Sequence, residues 1–325
     1  MLNIPFVCWG VQLFLFMKIA HLSDLHICLK YKRNNLATIK RLVKKIANSN
    51  IDHLIISGDI SDNSKEEDFL WFRNVLKENG LLDSERSSVV IGNHDIFGGV
   101  QTASDIIEFP SKCTSVDFKE KVNQFVGYFE ELFKNVYSPS EKSIFPFVKN
   151  LRDIVLVGIN SVDKYSKIRN PFASNGYVTK EQISNIQKIF DLDFVANKIK
   201  IVAIHHHFYK NNISSKSSEH AIWSRLENFT MKLRRKKRLI KLFQQNNVDL
   251  VLHGHSHEVK EYSRKGIKFL NAGGTIDNDG SLKPGYFVVD LSPNKIKTYF
   301  DFVSEKSLDN SRKRQTSIYL PSLAN

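Results

Sequence analysis

The sequence predicts an α/β layered fold with helices on the sheet faces, and three observations carry that expectation. Short runs rich in Val, Ile and Leu recur with little polar alternation, as in strands covered on both faces. Between them lie longer segments whose apolar residues repeat at three and four, the stripe of a helix resting on a sheet. The chain has 325 residues, 42% hydrophobic and 25% charged, which suits one large α/β domain with insertions or two small domains. With 15 Gly and 8 Pro it is neither collagen-like nor low-complexity, and it can bury a large core.

Residues 1–16 (MLNIPFVCWGVQLFLF) carry no charged side chain. The run is short of the ~20 residues of a spanning helix and lacks the basic start of an export signal. It reads as a start upstream of an initiator at Met17, as an interfacial anchor, or as an extra packed segment. A domain is expected from 17 to 303. Its strands are expected over 18–22 (KIAHL), 53–57 (HLIIS), 88–91 (SVVI), 154–159 (IVLVGI), 200–204 (KIVAI) and 248–252 (VDLVL), then 267–271, 286–290 and 295–300. Leu36, Ile39, Leu42, Val43 and Ile46 mark one helix; Ile183, Ile186 and Ile189 mark another, with Thr179 as its cap.

An insertion is expected at about 97–150. There Phe118, Val122, Phe125, Phe129, Leu132 and Val136 form one helical stripe, flanked by Phe109, Phe133, Phe145 and Phe147. It reads as a helix packed on the core or as a cap over a substrate cleft. Residues 210–220 (KNNISSKSSEH) read as a mobile loop or lid. Between Lys232 and Lys241, Arg and Lys surround a stripe of Leu226, Phe229, Leu233, Ile240 and Phe243. That is either a solvated helix face or a basic amphipathic helix that meets anionic lipid or a polyanionic substrate. Residues 304–325 read as a basic, poorly ordered tail.

Lys and Arg total 47 against 34 acids, a formal charge of +13 that calls for an anionic partner: nucleic acid, a phosphorylated metabolite or a membrane surface. Three scattered cysteines exclude a disulfide framework and a Cys-based zinc site, and favour a reducing compartment. The chemistry lies in what ends each apolar run. The first closes into Asp24-x-His26, the second into Gly58-Asp59-x-x-Asp62 and the third into Gly92-Asn93-His94-Asp95. The fifth closes into His205-His206-His207 and the sixth into His253-Gly254-His255-Ser256-His257. Nine of the 11 histidines fall in or beside these clusters, so they are not scattered at random.

In α/β sheets the carboxyl ends of the strands converge on one edge, where ligands bind. Carboxylate and imidazole ligands without thiolate suit Mn, Fe, Zn or Mg. Seven candidates are too many for one tetrahedral ion and suffice for two ions that share a carboxylate. Gly58, Gly92 and Gly254 sit where the backbone must turn sharply beneath them.

These motifs in this order resemble the signature of the calcineurin-like metallophosphoesterase superfamily, from Asp24 to His257, with Asn271-Ala272-Gly273-Gly274 similar to its later glycine turn. The resemblance implies a four-layer αββα sandwich and two divalent ions, manganese foremost with Fe, Zn and Mg as alternatives. One ion would take Asp24, His26, Asp59 and His257; the other would take Asp59, Asn93, His205 and His255, with Asp59 bridging. A metal-bridging hydroxide would attack phosphorus, His94 would face the scissile phosphate, and Asp95 would orient His94. Two departures stand out. Relatives read His-His-Pro or His-x-Pro where this chain has His205-His206-His207-Phe208, so His205 is the expected ligand with His206 its alternative. Asp62 stands where purple acid phosphatases carry a ligand tyrosine.

The expected activity is hydrolysis of a phosphodiester or pyrophosphate bond on a membrane-associated substrate such as a UDP-diacylglucosamine-type nucleotide-sugar lipid. A cyclic-nucleotide phosphodiesterase, a nuclease and a non-enzymatic membrane-associated scaffold are the alternatives. The expected location is cytoplasmic, peripheral to the inner face of a membrane.

Overall fold

The computed structural model describes residues 17–100, 103–209, 231–276, 283–292 and 295–303. The readings made for 1–16, for the loop at 210–220, for Leu226 and Phe229, and for the tail at 304–325 lie outside the described residues.

In chain order the first part is β1 (Met17–Leu22), α1 (Arg33–Ala47), β2 (His53–Ile56), α2 (Glu66–Glu78), β3 (Ser87–Val89) and α3 (Asn93–Phe97). Two helices, α4 (Ala103–Ser115) and α5 (Phe118–Tyr128), precede β4 (Val136–Tyr137) and β5 (Phe147–Leu151). Then come β6 (Ile154–Ile159), β7 (Gly176–Tyr177), α6 (Lys180–Phe190), β8 (Ile199–Ile204), β9 (Leu233–Arg234), α7 (Lys236–Gln245) and β10 (Leu250–His253). The strands β11 (Val259–Arg264), β12 (Ile267–Ala272), β13 (Gly285–Ser292) and β14 (Lys295–Phe302) close the chain.

One sheet has the order β14-β13-β1-β2-β3 and the other β11-β12-β10-β8-β6-β5-β4. The parallel strands lie side by side: β1, β2 and β3 in the first sheet, with β3 at its edge, and β6, β8, β10 and β12 inside the second. The added strands are antiparallel and sit at the flanks.

Side-chain alternation shows why there are four layers. Leu156, Ile201, Ala203, Leu250, Leu252 and Leu270 join the core that contains the first sheet with α1 and α2. Their chain neighbours Val155, Val157, Val202, Ile204, Val251 and Phe269 join a second core with Ile186 and Ile189 of α6 and Leu239, Ile240 and Phe243 of α7. A run apolar at every position thus serves one core with its odd residues and the other with its even ones. The layers are helix, sheet, sheet, helix, the αββα sandwich expected. Thr179 caps α6 as anticipated, its hydroxyl accepting from the Gln182 amide at 3.1 Å.

Three expectations change. The stripe from Phe118 to Val136 is not one helix: α5 ends at Tyr128, a tight turn spans Glu130–Phe133, and Val136 enters β4. Val122 and Phe125 are buried, and rings of Phe69 and Phe125 meet edge-on at 5.9 Å, so this helix packs on the core. The basic stripe is likewise interrupted, because Leu233 belongs to β9 and the helix begins only at Lys236. Leu239, Ile240, Leu242 and Phe243 are buried, which leaves a solvated basic face and no free apolar face for lipid. Finally β4, β5, β7, β9 and β11 were not anticipated. β5 carries Lys149, and β11 is exposed along much of its length, so neither reads as a continuous apolar run.

Lys149 is buried at 1% exposure, and its ammonium donates to the carbonyls of Ser84 (2.7 Å), Ser87 (3.0 Å) and Leu132 (2.9 Å). It thereby ties β5 to the edge of the other sheet. Burial pushes this ammonium down to about 7, which the nearby carboxylates of Glu85 and Asp83 work against. Replacing Lys149 with Met keeps the apolar stem and orphans three carbonyls, each worth about 1–3 kcal/mol when left unpaired. Lys149→Met is expected to lower stability by at least roughly 3 kcal/mol in urea unfolding; an unchanged midpoint would refute this role.

Candidate metal centre

The carboxyl ends of five parallel strands meet where the two sheets face each other. β1 leads to Asp24 and His26, β2 to Asp59, and β3 to Asn93 at the start of α3; β8 leads to His205, and β10 to His255 and His257. Asp24, His26, Asp59, His255 and His257 all adopt left-handed backbone, with φ of 55°, 43°, 52°, 73° and 49°. Such a conformation costs about 1–3 kcal/mol at a residue with a Cβ and persists only where its surroundings enforce it.

Here the enforcement is visible. The Asp24 and His26 amides donate to the carbonyls of Gly58 (3.1 Å) and Asp59 (3.0 Å), locking the first two turns together. Asp95 accepts from the amides of Asp59 (3.0 Å), Ser61 (2.9 Å) and Gly92 (2.9 Å), locking the second turn to the third. Across the sheets, the His255 amide donates to Asp24 (3.0 Å) and Thr275 Oγ1 donates to Ser23 O (2.8 Å).

Besides a group of His26, Asp62 and His94, two sets of candidate ligand atoms gather at the strand ends. Asp24, His26 and His257 form one, and Asp59, His205 and His255 the other. In the first, His26 Nε2 lies 3.1 Å from His257 Nε2 and 3.8 Å from Asp24 Oδ1. In the second, His205 Nε2 lies 3.1 Å from Asp59 Oδ2, 3.1 Å from His255 Nδ1 and 3.2 Å from Asn93 Oδ1. Asp59 Oδ2 is also 4.0 Å from His26 Nε2, so this carboxylate faces both sets.

The tautomers are fixed from behind. His26 donates Nδ1–H to Asp62 Oδ1 (3.1 Å), and His205 donates Nδ1–H to Ser57 O (2.9 Å). Each therefore turns the lone pair of Nε2 toward a second imidazole nitrogen, an arrangement that a cation between them relieves. Ions with bonds of about 2.0–2.2 Å place neighbouring donors about 3 Å apart and opposite ones about 4 Å apart, which matches both sets.

Electrostatics point the same way. Burial would raise Asp24 and Asp59, yet the surrounding imidazoles hold both well below the usual carboxylate range. Burial would lower His26 and His205, yet contact with the site carboxylates lifts them to about 10 and about 9. Burial and its imidazole neighbours drive His255 down. The site demands positive charge and cannot protonate all its crowded imidazoles together. Divalent ions fit the residues present.

His205 enters the cluster, whereas His206 turns away. The His206 ring packs against Gly176 and its Nδ1 meets Ser161 Oγ at 2.8 Å. His207 packs on Tyr209 at 4.9 Å between ring centres. His21, His53 and His253 are buried and bonded to Ser57, Ser88 and Tyr262 respectively. Cys28 accepts from Asn63 and stays outside both sets.

One expected contact is corrected. Asp95 does not orient His94, since its two oxygens serve the three backbone amides named above. His94 and Asp95 are consecutive on α3, and consecutive helical side chains diverge by about 100°. Asp62 takes the place instead: His94 donates Nδ1–H to its carbonyl at 3.0 Å, with Asp62 Oδ1 at 3.3 Å. The same carboxylate holds His26 and pairs with Lys32 at 3.2 Å. The sequence displayed Asp62 within its motif but gave no sign that it serves two histidines.

An αββα sandwich whose strand ends gather two overlapping sets of Asp, Asn and His around one shared carboxylate defines a metal-dependent phosphoester hydrolase. Residues 17–259 match the calcineurin-like phosphoesterase family, and the chain belongs to it. A probable cyclic nucleotide phosphodiesterase of Ruthia magnifica subsp. Calyptogena magnifica is 22% identical over 258 residues, 78% of this chain and 84% of that protein. A dimetal phosphatase from Danio rerio shares the fold at a TM-score of 0.54 and 11% identity, over 87% of this chain and 95% of that one. A purple acid phosphatase from yellow lupin (Lupinus luteus) seeds does so at 0.53 and 13%, over 85% and 49%. Among the described residues no helix is long and apolar enough to cross a membrane.

Backbone proximity generates a test. A Cβ at Gly254 would lie 2.1 Å from Asp24 Oδ2, and one at Gly92 would lie 2.1 Å from Asp59 Oδ1. Gly254→Ala and Gly92→Ala are each expected to fold yet to lose bound divalent metal, read by elemental analysis after dialysis. Retention of wild-type metal content would show that the carboxylates tolerate displacement.

Proposed function

We propose that the chain hydrolyses a phosphodiester or pyrophosphate bond with two divalent ions, manganese foremost, held by Asp24, His26, Asp59 and His257 and by Asp59, Asn93, His205 and His255. The observation that carries this reading is Asp59 Oδ2, which lies within 4.0 Å of imidazole nitrogens from both sets. Ions bound there supply Lewis acidity toward phosphoryl oxygens and a water made nucleophilic at neutral pH.

The protein's own groups do the rest. Asn93 supplies a neutral oxygen beside His205, which limits the negative charge of the second set. His94 is part-exposed at the mouth, with Nδ1 anchored on Asp62 and Nε2 left to face substrate. With a proton on each ring nitrogen, we assign Nε2–H the task of stabilising the phosphoryl group and protonating the leaving oxygen, which leaves a neutral ring still anchored through Nδ1–H. Asp62 positions that ring and His26 together, and Asp95 keeps the turn of Asp59 in register.

For the substrate, the name of the Ruthia magnifica relative supports a cyclic nucleotide. A nucleotide-sugar lipid is the second reading, supported by exposed apolar and basic side chains on the loop between β6 and β7. A panel of cyclic AMP, a nucleotide-sugar lipid and single-stranded DNA under identical Mn conditions decides between them and nuclease activity.

His94→Ala is expected to keep both ions and lose turnover by about 10²–10⁴-fold, whereas Asp59→Asn is expected to lose metal as well. Release of the ions by His94→Ala would overturn the assigned role. Asp62→Asn is expected to keep the fold and reduce turnover by about 10–100-fold. Full activity in Asp62→Asn would return the orienting task to another group.

A further inference from the structure

The most exposed large apolar side chain among the described residues is Ile168, at 91%. A single exposed isoleucine is ordinary; how this one is held is not. Its loop joins β6 to β7 and is built on two buried asparagines. Asn170 donates Nδ2–H to the carbonyls of Asp163 and Lys164 (3.3 Å each) and accepts from the Asn175 amide (2.9 Å). Asn175 donates Nδ2–H to Arg169 O (3.0 Å), and Ser166 and Asn170 bridge across the tip. The tip Lys167-Ile168-Arg169 is thus fixed from below, and so is Phe172, 44% exposed.

Cations outnumber acids around it. Lys164, Lys167 and Arg169 are exposed and make no ion pair with a described carboxylate, while the loop's acid, Asp163, is paired with Arg234 at 2.9 Å. The β7–β9 pairing adds Arg235, exposed, with its guanidinium donating to Tyr177 Oη at 3.0 Å. A cleft of about 460 Å³ beside the loop is lined by Phe97, Val116, Phe118 and Tyr165 with Lys164 and Lys167.

We propose that this loop docks the enzyme on an anionic lipid surface, with Ile168 and Phe172 entering the headgroup region and Lys164, Lys167, Arg169 and Arg235 meeting lipid phosphates. Two separate apolar side chains among exposed cations match the chemistry of a charged bilayer interface. They do not form the contiguous apolar centre of a standard protein interface, which takes about 800 Å² per partner. Both ends of the loop rest on His206, through Ser161 Oγ (2.8 Å) and through Gly176 against the ring, and that ring lies 4.3 Å from His255. The base of the docking loop therefore adjoins the imidazoles of the metal centre. The proposal does not depend on which phosphodiester is cleaved.

The test is cosedimentation of the full chain with phosphatidylcholine vesicles with and without phosphatidylglycerol. Binding is expected only with the anionic lipid and is expected to weaken as salt is raised. Ile168→Asp and the pair Lys167→Glu with Arg169→Glu should each reduce partitioning by about tenfold or more. Their hydrolysis of a soluble aryl phosphodiester without vesicles should be unchanged, which separates this result from any failure of the metal centre. Absence of wild-type binding overturns the proposal, as does equal binding by the variants. Binding lost only on deletion of residues 1–16 assigns it to that segment and also overturns the proposal. So does an Ile168→Asp variant that abolishes self-association while leaving vesicle binding intact.

Discussion

Two buried carboxylates, Asp24 and Asp59, each 1% exposed, set the terms for the rest of the molecule. Each lies between the facing strand ends of two sheets, among imidazoles that cannot all carry protons. An unpaired buried charge costs several kcal/mol. The surrounding turns, with their left-handed residues and close glycines, make sense only as the scaffold that brings compensating cations and donors within reach. The hydrophobic sandwich provides the rigidity this requires: Leu54, Ile55 and Ile56 before Asp59, and Val251 and Leu252 before His255, show no measurable exposure.

Much of this was legible in the sequence, for a physical reason. Strands buried on both faces must be apolar at every position, so the runs at 53–57, 154–159 and 200–204 declared themselves, and the polar residues that ended them stood out. β5 and β11 did not, because Lys149 and the exposed side chains of β11 break any such run. The insertion helix and α7 were legible as helices but not in their limits. Apolar spacing continues through Phe129 and Leu132 into a 3-10 turn, and it is burial that repeats there, not α-helical geometry.

The roles of the acids show where reading along the chain fails. Asp95 adjoins His94 in sequence yet serves the backbone of three turns, while Asp62, more than thirty residues away, holds the ring. Separation in sequence says nothing of distance once β2 and β3 lie side by side. The histidines divide in the same way. His21, His53 and His253 satisfy serine or tyrosine hydroxyls in the interior, while beyond the strand ends His26 and His205 face the shared carboxylate and His206 turns away.

The candidate ligands are split between the sheets. Asp24, His26, Asp59 and Asn93 come from the first part of the chain, and His205, His255 and His257 from a part that begins more than a hundred residues later. The first sheet itself is completed by β13, which pairs with β1 from residues 285–292. During synthesis, which proceeds from the N-terminus, the emerging chain therefore displays an acidic half-site long before it owns the imidazoles that close it. A chain that stops short of residue 257 therefore lacks an imidazole that faces Asp24 in the folded protein.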